Sequence, residues 1–136
     1  NMFVTKSKKI MDNYYKVLFE WLRKCEDIFG FNIDGYVATN TSSQREYLNT
    51  KSSILSSIGN GGLSGSAISV KSDEVVSNLY AMLKGSKPII GVGGVDSIES
   101  AQRKVDAGAD LLQIYTGLVY EGPGLIRKLK NGVNFR

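Results

Sequence analysis

Histidine is absent from the 136 residues, and cysteine occurs once, as Cys25. The first absence removes Ser-His and Cys-His nucleophile pairs together with every His-liganded metal site. A lone cysteine can neither close an intrachain disulfide nor build a structural zinc centre, and it is compatible with a reducing compartment. The chain also lacks any run near the eighteen or so apolar residues of a membrane span, and no signal peptide is visible. No metal is expected. Chemistry is left to glycine backbone, hydroxyls, amides, lysine or a borrowed cofactor.

What is present suits a globular domain. Hydrophobic residues make up 42% of the chain and charged residues 22%, which argues against disorder and for one modest core. The length falls well short of the roughly 250 residues of a complete β/α barrel. The formal charge of +4 is mildly basic. The cations gather near the two ends, at Lys6, Lys8 and Lys9 and at Arg127, Lys128 and Lys130. Such runs are ordinarily solvated faces, so nucleic acid is not expected as a partner.

Strand and helix patterns alternate along the chain. Residues 2–5 form a short apolar run of strand type. Met11, Tyr15, Leu18, Leu22, Cys25 and Phe29 then recur at steps of three and four, a helical core stripe that Gly30 is placed to end. Residues 33–38 read as a buried strand. Residues 39–65 are polar and rich in Ser, Asn and Gly, a connection long enough to be functional or disordered, with a short helix expected over 53–58. Val75, Leu79 and Leu83 mark the next helix, with Ser72 as its expected cap and Gly85 just past its end. Residues 88–92 form a buried strand. Asp96 and Glu99 resemble a capping box, and the helix it opens should end at Gly108. Residues 111–115 are a further strand. Pro123 suits a first helical turn, and Leu125, Ile126 and Leu129 supply an apolar face before Gly132. Short apolar strands separated by helices predict an α/β fold of about four βα units with a parallel sheet, occupying 1–136 as one domain. That is half of a (β/α)8 barrel, although an open doubly wound sheet has the same local pattern.

In parallel barrels the chemistry collects where strands run into βα loops. Three segments stand there: Thr39-Asn40-Thr41, Gly91-Val92-Gly93-Gly94 and Tyr115-Thr116-Gly117. A fourth, Gly61-Gly62-Leu63-Ser64-Gly65, lies late in the long loop. Glycine lets backbone N–H groups approach a phosphate closely. Barrel phosphate sites are often built from the loops after the last two strands. Taken singly, each glycine cluster is equally a tight turn; at successive strand ends, together, they point to phosphate. Asn40 with Thr39 and Thr41 offers donors, an acceptor and hydroxyls for a planar ring bearing carboxylate or amide groups, but composition alone favours an Asx-type turn.

In order and spacing, four segments resemble one family: 33–41, 61–65, 88–95 and 107–118. They are similar to the dihydroorotate dehydrogenases. The Gln113-Ile114-Tyr115-Thr116 run followed by Gly122-Pro123 resembles the class 2, quinone-linked group. The similarity runs from about Ile33 to the C-terminus. It implies the C-terminal half of a (β/α)8 TIM barrel that binds FMN at the C-terminal ends of its strands.

The activity implied is oxidation of dihydroorotate to orotate in de novo pyrimidine (UMP) biosynthesis, with hydride passing to FMN and ubiquinone as electron acceptor. By this resemblance Thr39 contacts the flavin ring region, Asn40 and Thr41 hydrogen-bond orotate, Gly65 and Gly94 bring backbone to FMN, and Tyr115 and Thr116 cradle its phosphate. Lys6 is the candidate for the family's FMN-contacting lysine, although its surroundings depart from the family's and an insertion around 26–31 follows it. The alternative is a solvated lysine. The family's catalytic serine base, its other orotate-holding asparagines, its membrane-docking helices and its quinone tunnel lie before the matching region. No catalytic residue is therefore expected here. The full enzyme is expected at a membrane, the bacterial cytoplasmic or mitochondrial inner one. A rival reading from another class is a non-catalytic half barrel, a remnant or a phosphate- or flavin-binding piece, prone to self-association.

Overall fold

The computed structural model describes residues 32–45 and 48–135, preceded by residues 17, 20, 21, 23, 24, 27, 28 and 30. Three strands, β1 (Tyr36–Ala38), β2 (Ile89–Val92) and β3 (Leu111–Gln113), form a parallel sheet in the order β1-β2-β3. Their register pairs Ala38 with Gly91 and Gly91 with Leu112. The helices are α1 (Ser52–Ile58), α2 (Ser69–Leu83), α3 (Ile98–Asp106), α4 (Thr116–Glu121) and α5 (Gly124–Gly132). A 3-10 turn, Gly65–Ile68, runs directly into α2. This is the parallel α/β arrangement that the alternating pattern anticipates. The strand expected at 2–5 and the stripe from Met11 to Phe29 lie outside the described residues. The intervening positions 17, 20, 21, 23, 24, 27 and 28 are helical and exposed.

Helices cover one face of the sheet. Val76 and Leu83 of α2 pack with Ala38, Ile89 and Ala109. Ala101 and Val105 of α3 pack with Val95, Leu125, Leu129 and Val133. Leu112 touches both groups, so β3 joins the two halves of the core. On the other face Val37 and Leu111 stay 62% and 57% exposed. The strands therefore alternate buried and open positions, where a sheet covered on both faces would bury all of them.

Several local expectations are corrected. The strand at 33–38 is paired only from Tyr36, whose N–H donates to the Pro88 carbonyl at 2.9 Å. The strand at 111–115 stops at Gln113, because Tyr115 turns the chain into α4, a helix not anticipated. Ser72 is not a cap: α2 starts three residues earlier, and the Ser72 hydroxyl donates to the Val92 carbonyl at 2.5 Å. The capping box is shifted by one residue. Ser97 is the cap and Ser100 the third helical residue; the Ser100 N–H donates to Ser97 Oγ at 3.2 Å, and the Ser97 N–H donates to Ser100 Oγ at 3.0 Å. Asp96 accepts from the Ser100 hydroxyl instead of capping. In α5, Leu125 and Leu129 are buried while Ile126 is 55% exposed, since the core-facing stripe follows the four-residue step and excludes its neighbour. Three strands are present among the described residues, and the fourth that the sequence suggests, at 2–5, lies outside them.

Candidate functional site at the strand ends

Parallel strands deliver all their C-terminal ends to one rim. Here the segments after β1, β2 and β3 meet there and line a cavity of about 420 Å³. Its wall includes Thr39, Asn40 and Thr41, then Gly93 and Gly94, then Tyr115, Thr116 and Gly117, with Ser64, Gly65 and Ile68 from the long loop and the 3-10 turn. Thr39, Asn40, Thr41, Gly65, Gly94, Tyr115 and Thr116, the described residues assigned site roles from the sequence, thus all reach one hollow. Lys6 lies outside the described residues. Among the described residues none of those lining the hollow carries a formal charge at neutral pH, so what they offer an anion is backbone N–H groups and hydroxyls. A second hollow of about 520 Å³ shares Thr39, Asn40 and Thr41 and extends to Lys71, Ser72 and Val75.

The Val92 carbonyl organises the rim. It accepts from the Thr39 N–H at 2.9 Å and from the Ser72 hydroxyl at 2.5 Å, with Thr39 Oγ1 at 3.4 Å. One acceptor at the end of β2 therefore ties down the end of β1 and the start of α2. The glycines just beyond it make room for that helix. Gly94 has φ +73°, and a Cβ there would lie 2.5 Å from the Ser69 Cα. Gly93 has φ +110°, and its Cβ would lie 3.0 Å from Ser72 Oγ. Neither position tolerates a side chain, first because the left-handed backbone disfavours one and second because the helix already fills the space.

The long loop folds back on the site. Ser42 and Leu63 exchange backbone bonds at 3.0 and 2.7 Å in a single antiparallel bridge. The Arg45 guanidinium donates to the carbonyls of Gly61 and Leu55. Gly62 lies so close to Thr41 that a Cβ would overlap its side chain. At the loop's end the Thr116 hydroxyl donates to Ser64 Oγ at 2.9 Å, and a Cβ on Gly65 (φ +75°) would lie 2.9 Å from Thr116 Cγ2. Gly65, Gly94 and Thr116 are thereby gathered around one volume. The Asn40 side-chain oxygen accepts from the Thr41 N–H at 2.8 Å, a local bond that leaves the exposed end of the residue on the cavity wall. The Tyr115 side chain is 78% exposed.

Sequence reading missed Ser64, Ser69 and Ser72 as members of this rim. Ser64 belonged to a recognised motif but had no partner in the sequence. Ser69 and Ser72 stand three apart, the spacing of one helix face, which is the only signal that would have found them.

Comparison with known proteins decides the family. A family model described as dihydroorotate dehydrogenase matches residues 20–136. The chain belongs to the dihydroorotate dehydrogenase family. It is 41% identical over 114 residues to a dihydroorotate dehydrogenase (quinone) of Edwardsiella ictaluri, covering 84% of this chain and 33% of that relative. It is 47% identical over 97 residues to one of Pasteurella multocida, covering 71% and 28%. The structure resembles a DHODH from Eimeria tenella in complex with ferulenol, with a TM-score of 0.65 and 36% identity over 74% of this chain and 26% of that one. The ligand-free form gives 0.66 and 34%. The chain thus spans about a third of the length of the curated relatives it matches. Among the described residues no helix is long and apolar enough to cross a membrane, and no cluster of metal-ligating residues occurs.

Proposed function

We propose that this chain forms the phosphate end of an FMN site and one side of the orotate pocket of a quinone-linked dihydroorotate dehydrogenase, within the C-terminal half of a (β/α)8 barrel. The observation that carries the reading is the convergence of Gly65, Gly94 and Thr116 on one cavity at the C-terminal ends of parallel strands. Membership in the family supports a flavin, and the residues present fit one. Gly65 and Gly94 line the cavity without a side chain, which is what close approach of backbone N–H groups to a phosphate requires.

In this reading Gly65 and Gly94 bring backbone to FMN, and Tyr115 and Thr116 cradle its phosphate. Thr39, fixed by its two contacts with the Val92 carbonyl, lies against the flavin ring. Asn40 and Thr41 orient the substrate ring through their amide and hydroxyl groups. Lys6 is proposed as the FMN-contacting lysine. When bound, the flavin supplies the acceptor for the hydride of dihydroorotate. The chain's own contribution is placement, since aligning the reactants is itself a large part of the rate. The proton-accepting serine, the quinone route and the membrane contact belong to regions of the enzyme outside this match. Ubiquinone as acceptor and a place in pyrimidine biosynthesis follow from the same proposal.

The rival reading is a half barrel that binds without catalysing. It draws on the open sheet face, where Val37 and Leu111 are exposed and burial of each would be worth about 1.5–3 kcal/mol. A bare apolar face of this kind favours self-association. Titrating the purified chain with FMN, followed by flavin fluorescence, tests the site. Saturable quenching that inorganic phosphate competes away is the expected result, and absence of saturable binding would overturn the proposal.

A further inference from the structure

Behind the cavity wall, a second group of side chains holds the start of α2. Ser69, Ser72 and Asp73 stand at the i, i+3 and i+4 positions of that helix, on one face. Each is engaged. Arg103 Nη2 donates to Ser69 Oγ at 3.2 Å. Ser72 Oγ donates to the Val92 carbonyl at 2.5 Å. Lys104 Nζ lies 2.5 Å from Asp73 Oδ1, and Arg103 Nε lies 3.5 Å from Asp73 Oδ2. The last two contacts come from consecutive cations on α3. Arg103 is 53% exposed, but Lys104 is fully buried. Its stem runs beneath β2, where a Cβ on Gly91 would lie 2.5 Å from Lys104 Cγ. Gly91 is therefore the gap through which the ammonium reaches Asp73.

A buried ion pair is a poor source of stability, since desolvation of the two charges offsets most of their attraction. What a directional pair does supply is register. α2 is held by charge and hydrogen bonds at three points within its first turn and a half, and that turn presses Ser69 against Gly94 and Ser72 against Gly93. We infer that Asp73, Arg103 and Lys104 are positioning residues for the phosphate cradle: they set the distance between the start of α2 and the Gly93-Gly94 loop. None of the three lines the cavity. The inference rests on the phosphate reading proposed above and adds residues to which that reading assigned nothing.

The test uses the full chain and separates placement from stability. Asp73→Leu with Lys104→Met replaces the pair by apolar groups of similar size, a change that commonly preserves or raises stability. Thermal melting by circular dichroism, amide hydrogen exchange without ligand, and FMN affinity by fluorescence quenching are measured on the same samples. The expected result is an unchanged or higher melting temperature, faster exchange confined to residues 64–70 and 92–95, and FMN affinity weaker by about tenfold. Unaltered exchange in those two segments would overturn the inference. So would faster exchange spread along the chain with a lowered melting point, which marks a structural pair only, or unaltered FMN affinity despite faster exchange. If the double variant does not fold, Arg103→Met at the half-exposed position decides, with affinity weaker by about threefold expected and unchanged affinity counting against the inference. Should the unsubstituted chain fail to bind FMN, the phosphate reading falls, and the exchange pattern still decides whether the three residues set the loop.

Discussion

Gly94 and Ser69 meet backbone against backbone: a Cβ on Gly94 would lie 2.5 Å from the Ser69 Cα. This contact brings the loop after β2 to the start of α2, and any side chain at 94 has to push them apart. Gly94→Val is expected to abolish detectable FMN binding. The left-handed φ of +73° adds a backbone cost of about 1–2 kcal/mol, so urea unfolding should show a lower midpoint as well. Flavin titration of the variant measures the first effect, and unchanged affinity would contradict the phosphate assignment.

Asn40 lies on the same wall but is exposed, and its recorded bond is the local one to the Thr41 N–H. Asn40→Ala should therefore leave the fold and the flavin in place. In an enzyme containing the whole barrel it should lower turnover through a substrate polar group left unpaired, at a cost of about 1–3 kcal/mol. Steady-state kinetics with dihydroorotate check this, and normal kinetics would remove Asn40 from the substrate pocket.

The shifted capping box has its own test. Ser100 Oγ accepts the N–H groups of both Asp96 and Ser97 at 3.0 Å, so Ser100→Ala should cost about 1 kcal/mol. Glu99→Ala should cost less, because Glu99 is not the reciprocal partner. Comparing the two melting temperatures decides which residue closes the helix start.

Lys104 predicts a pH dependence. Burial pushes its ammonium below the ordinary lysine value of 10.5, with the neighbouring Asp73 partly opposing the shift. A depressed folded value means that the unfolded chain binds the proton more tightly. The Lys104 contribution to stability then rises with pH up to about 10.5, and is lost as pH falls through the folded value. Lys104→Met should flatten that alkaline rise in urea midpoints measured at successive pH values. An identical slope in the variant would show that Lys104 titrates as an ordinary lysine.

The 136-residue chain alone is expected not to oxidise dihydroorotate. Among the described residues the cavity presents hydroxyls, two amides and glycine backbone but no charged side chain, and loss of general acid–base assistance typically costs about 10²–10⁴ in rate. The assay is purified chain with FMN, dihydroorotate and a quinone or dye acceptor. Steady FMN-dependent orotate production would reveal a base within the chain.

The alternating apolar runs foretold the strand at 88–92 and the helix over α2, because burial periodicity is a local property of the chain. Ser97 and Ser100 show where that reasoning stopped. Several polar residues near a helix start can each cap it, and the choice depends on which dihedral angles the preceding turn imposes. Tyr115 ended β3 early for a similar reason: an apolar residue is compatible with strand or helix until packing selects one.

Hydrophobic periodicity and motif order by themselves determined the parallel α/β class and the segments offered to the site, and the resemblance of four ordered segments pointed to the family. An absence of histidine and a succession of glycine clusters need no coordinates to be read. Only the tertiary structure decided that Gly65, Gly94 and Thr116 face one volume, that Ser72 bonds the Val92 carbonyl, and that Lys104 is buried against Asp73. These relationships join residues 20 to 50 or more positions apart. Their geometry comes from how helices seat on the sheet, and no local pattern in the chain records that distance.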